Sequence, residues 1–81
     1  MRNEILRAKG RIAELKSKIA EKELEASGLI IQIRTFADPY ENDMSRIKSG
    51  QIRTASHLLD ESITTIKTLR SELERLEDDI G

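Results

Sequence analysis

Apolar residues recur along this chain in alternating steps of three and four. The first run holds Ile5, Ala8, Ile12, Leu15, Ile19, Lys22, Ala26, Leu29, Ile33 and Phe36, with Lys22 the one polar member. The second holds Ile52, Ala55, Leu59, Ser62, Ile66, Leu69, Leu73, Leu76 and Ile80, with Ser62 the one exception. A 3.5-residue repeat held this long predicts a helix with a left-handed coiled-coil seam, so the chain should form two long helices.

Between the runs lies the only proline, in Asp38-Pro39-Tyr40-Glu41. Proline lacks an N–H and its ring clashes one turn back, so it breaks a helix interior. It suits a first helical position, with Asp38 as the N-cap and Glu41 as its capping-box partner. Asn42 or Asp43 offers a later cap. The pattern predicts helix 1 at about 2–36, a turn at about 37–43 and helix 2 from between 39 and 44 to about 79, within one helical hairpin spanning 1–81. Residues 29–36 are rich in β-branched side chains and read alternatively as a strand. The heptad crosses them without a break, and no second strand offers a partner.

The expected fold is all-α: a long antiparallel two-helix coiled-coil hairpin. Pairing residues whose numbers add to 81 sets Ile5 against Leu76, Leu15 against Ile66 and Ala26 against Ala55, centred on the turn. Flanking charges do not decide this register. Arg11 attracts Glu72 there, but Lys9 repels Arg70, and exposed pairs contribute only about 0–1 kcal/mol each.

With Leu6 alone at the open end, large apolar residues off the seam gather toward the turn half: Leu24, Ile30, Ile31, Met44, Ile47, Leu58 and Ile63. A second apolar face there suggests that two hairpins associate into a four-helix bundle, a homodimer with Leu24, Ile30, Ile31, Ile47, Leu58 and Ile63 at its interface. Gly28 and Gly50 sit near one level in this register. They either admit a neighbouring helix or merely loosen their own.

Composition narrows the function. The 81 residues are 37% hydrophobic and 36% charged, with one Phe, one Tyr and no Trp. That leaves no room for a nucleotide-binding or barrel enzyme domain. Cysteine is absent, so there is neither a disulfide framework nor thiolate chemistry. The longest run of large apolar residues is Leu29-Ile30-Ile31, far below the ~20 that span a bilayer. With no apolar leader visible, a cytoplasmic protein away from membranes is expected.

The net charge of −1 is unevenly spread. Residues 1–22 hold seven basic and three acidic side chains, and 61–81 hold three and six. Antiparallel helices bring these opposite blocks together. Between Met44 and Leu59 lie Arg46, Lys48, Arg53 and His57 with no acid. With Arg34 nearby, Arg46, Lys48 and Arg53 form a candidate phosphate contact, although no aromatics interleave for base stacking. His57 is the only histidine and falls on an outward position, without the further His or Cys ligands of a metal site. The acidic cluster Glu72, Glu74, Glu77, Asp78 and Asp79 has no pocket to shift its pKa values apart. No catalytic residue, cofactor or metal is therefore assigned.

Helix 2 carries nine Ser and Thr between 45 and 71, which compete for backbone hydrogen bonds. The first functional expectation is a non-enzymatic protein-interaction module, an adaptor or inhibitor that docks a helical face onto an unidentified larger protein. A nucleic-acid-associated regulator using Arg34 and residues 46–57 is the alternative. A structural assembly rod is a third reading.

Overall fold

The computed structural model describes residues 2–80. It contains helix α1, Arg2–Phe36, and helix α2, Ser49–Ile80, packed antiparallel along one seam. Residues 29–36 are helical, and no strand occurs among the described residues. The hairpin is a rod of 65 × 15 × 14 Å. Its radius of gyration is 18.5 Å, against about 12 Å for a compact globule of this length.

The predicted seam is the core. Leu15 is 0% exposed, and Ile19, Ala26, Ala55, Ser62 and Ile66 are buried. Every other seam position from Ala8 to Leu76 is half-buried, including Lys22. Ile5 and Ile80, at the open end, are exposed.

Helix 2 begins later than the sequence suggested, at Ser49 rather than between 39 and 44. Asp38 caps no long helix; its carboxylate accepts the Tyr40 N–H at 2.9 Å, closing a local turn. Asp43 caps only the short 3-10 turn Met44–Arg46. Its Oδ1 accepts from the Ser45 N–H at 3.0 Å and the Ser45 hydroxyl at 2.6 Å. These bonds satisfy donors that a continuing helix would have claimed. Ile47 is extended (φ −62°, ψ 128°), which ends the 3-10 turn. The Lys48 carbonyl then accepts the first bond of α2, from Ile52 N–H at 3.0 Å. The connection therefore runs from 37 to 48.

The longer connection changes the register. Among the described residues, two ion pairs cross the hairpin. Arg11 forks onto Glu72, with Nε donating to Oε1 at 3.1 Å and Nη2 to Oε2 at 3.3 Å. Arg70 bonds Glu23. Arg11 and Glu72 each precede a seam residue, whereas Glu23 and Arg70 each follow one. In antiparallel coiled coils these flanking positions face their own kind across the seam. The first pair's numbers add to 83 and the second pair's to 93. Both are met at once when the layers between them add to 88, one heptad from the 81 expected.

Opposed layers then become Leu15/Leu73, Ile19/Leu69, Lys22/Ile66, Ala26/Ser62, Leu29/Leu59 and Phe36/Ile52. Arg70, expected to repel Lys9, finds Glu23 instead, and Lys16 takes the level of Glu77. Gly28 and Gly50 no longer share a level. The Ser and Thr residues of α2 do not break it. Thr54, Thr64 and Thr68 donate to carbonyls four residues back, Gly50, Asp60 and Thr64, at 3.0–3.1 Å.

Paired cysteines at the small-residue layers test the register. Ala26→Cys with Ser62→Cys should close an intramolecular disulfide under mild oxidation. Ala26→Cys with Ala55→Cys should not, because seven helical residues separate the levels of 55 and 62 by about 10 Å, and a disulfide spans at most about 7 Å between Cα atoms. The reverse pattern in a non-reducing gel would restore the register of 81.

Candidate functional site

The off-seam apolar residues of the turn half, Ile47 excepted, are exposed, but they do not make one face. Ile30 and Ile63 follow seam residues and their numbers also add to 93. They stand opposite each other one heptad beyond the Glu23–Arg70 pair, as that flank's apolar continuation. Leu24 and Leu58 belong to the other flank, where they border a groove of about 520 Å³ with Lys22, Gly28, Leu29 and Ser62. Ile31 is 64% exposed and points outward near the turn, where it borders a shallower hollow with Arg34, Pro39 and Tyr40. Ile47 is half-buried under the connection, and Met44 beside it is exposed.

The groove lies where the seam is thinnest. The Ala26/Ser62 layer supplies little bulk, and Lys22 leaves the seam to donate to Glu25 Oε2 at 3.1 Å. A lysine in such a position buries its stem and keeps its ammonium in water. Glu61, also on the groove, pairs with His57 at 3.2 Å. Of the groove's charges, Lys22 and Glu25 are thus matched within α1. The sequence pattern identified Leu24 and Leu58 but missed Gly28, Leu29 and Thr65 as groove residues. Their signal was the pair of polar seam exceptions, Lys22 and Ser62, which fall in neighbouring layers.

Of the candidate phosphate-contacting side chains, Arg46 and Lys48 border one hollow under the connection, with Phe36, Asp38 and Glu41. Arg46 lies 4.0 Å from the Asp43 carboxylate. The Lys48 ammonium sits 6.0 Å from the Phe36 ring centroid, a cation–π arrangement. Arg34 and Arg53 come to nearly one level in the register of 88. Acidic Asp38, Glu41 and Asp43 share the turn with them. His57 is exposed, as its outward position implied. Among the described residues, no group of three or more His, Asp or Glu is arranged to hold a metal ion. No described helix is long and apolar enough to cross a membrane.

Hydrogen bonds set the shifted protonation equilibria. Arg11 is held more basic by hydrogen bonds from its guanidinium to Glu14 and Glu72. Glu14 is held more acidic by its bond from Arg11. Asp43 is held below the usual 3.8 by the hydroxyl and then the backbone N–H of Ser45. A carboxylate with a depressed folded pKa stabilises the fold fully above its unfolded value. It loses that contribution as pH falls through the folded one.

Acid should therefore loosen the capped turn only below the ordinary aspartate range. In an NMR titration, the Ser45 amide shift should follow a carboxyl that protonates below 3.8. Asp43→Asn, which keeps an acceptor oxygen, should preserve the 3-10 turn and abolish that titration. A Ser45 amide that titrates at or above the usual value would show that the cap is not formed.

No family model matches the chain, and no curated protein or solved structure matches it.

Proposed function

We propose that this chain is a non-enzymatic protein-interaction module that works by laying a helical face against another protein, and that a second copy of itself is such a partner. The observation that carries this reading is surface. The hairpin exposes 6562 Å². A folded monomer of 9.2 kDa exposes about 4,900 Å². The excess of about 1,600 Å² is about twice the ~800 Å² that each partner buries in a standard protein–protein interface. The rod's largest exposed side chains include Leu24 at 76% and Ile31 at 64%, both on the turn half. Two helices with a single seam can remove this surface from water by docking against another chain.

Sedimentation equilibrium tests the proposal. The wild type should be dimeric at micromolar to hundred-micromolar concentration. Burying an unpaired carboxylate is costly, so Ile31→Glu or Leu58→Glu should raise the dimer dissociation constant at least about tenfold, ~1.4 kcal/mol. Leu6→Glu, exposed near the open end, should change it little. A wild-type monomer at hundreds of micromolar would refute self-association.

A further inference from the structure

The outer face of α1, running along the groove bordered by Leu58, holds an uncharged stripe: Ala20, Leu24, Ser27, Gly28 and Ile31. Spacings of four and three place these residues on adjacent turns. All five are exposed, in a chain that is 36% charged. We infer that this stripe is where a second copy docks, with α1 crossing α1 antiparallel at Gly28. This rests on the self-association proposed above and assigns its contact.

Three observations point to a second copy rather than to a different partner. The stripe is self-complementary. A two-fold axis at Gly28 sets Leu24 of one copy against Ile31 of the other, and Ile31 against Leu24, because the two flank Gly28 at nearly equal distances. The centre is open, since a Cβ built on Gly28 meets nothing within 4 Å, so two backbones can approach there. The bordering groove offers little field to recruit a charged partner, because Lys22 is already paired with Glu25 and the remaining carboxylate, Glu61, lies 3.2 Å from His57 Nε2. An isologous contact of this kind closes at two copies. Thr35, one turn beyond Ile31, donates its hydroxyl to the Ile31 carbonyl at 2.9 Å. That leaves the end of the stripe less polar than its sequence implies.

Three of the four glycines, Gly10, Gly28 and Gly50, supply matched probes, because an added Cβ is free of contacts at each. In this cysteine-free chain, Gly28→Cys should form an intermolecular disulfide on mild oxidation at least about ten times faster than Gly10→Cys or Gly50→Cys. Gly28→Trp should raise the dimer dissociation constant at least about tenfold while circular dichroism shows an intact helical hairpin. Gly50→Trp should leave it within about threefold. If the wild type is a dimer but Gly28→Trp associates as well and Gly28→Cys cross-links no faster than the others, the Gly28 crossing is overturned and self-association stands. If the wild type is a monomer, both fall.

Discussion

One apolar seam holds this molecule together. Each helix can bury only the stripe that faces its partner, and the seam thins at its middle, where Ala26 opposes Ser62 and Lys22 turns out toward Glu25. Leu15, with no exposed surface, lies in the better-filled half nearer the open end. A fold built this way has strong direction and little depth. Its helices depend on each other because neither has a second surface of the protein to pack against, and most helical stability in proteins comes from such packing.

The seam alone does not choose its register. Sliding one helix by seven residues superimposes apolar positions on apolar positions again, so layers adding to 81 and to 88 both pair Leu, Ile and Ala. The flanks break the tie. In the 81 register Arg70 lies between Lys9 and Lys16. In the 88 register it meets Glu23, while Arg11 forks onto Glu72. Each exposed pair contributes little, but the choice lies between similar seams, so small energies of consistent sign can decide it. The connection permits that choice. Asp43 captures Ser45 and delays α2 to Ser49.

The sequence pattern therefore disclosed the two helices and the seam positions, because a seven-residue repeat survives whichever register is chosen. It did not disclose the level at which residues meet, because the repeat is blind to a shift by its own length. The start of α2 was hidden for a different reason. Asp38-Pro39 has the chemistry of a helix start, yet Asp38 spends its carboxylate on Tyr40. The side groove was half legible. Leu24 and Leu58 stood out as apolar residues off the seam, whereas Gly28 and Leu29 join them only once the register is known. That same register separates Ile30 and Ile63 onto the opposite flank.

If association covers the surface that a single seam leaves in water, the hairpin's stability is coupled to it, and the unfolding midpoint depends on concentration. Thermal unfolding followed by circular dichroism over a hundredfold range of chain concentration is the most direct measurement. A hairpin stabilised by association must show a midpoint that rises steadily with concentration. A midpoint that stays constant over that range would show a hairpin stable by itself and contradict the coupling.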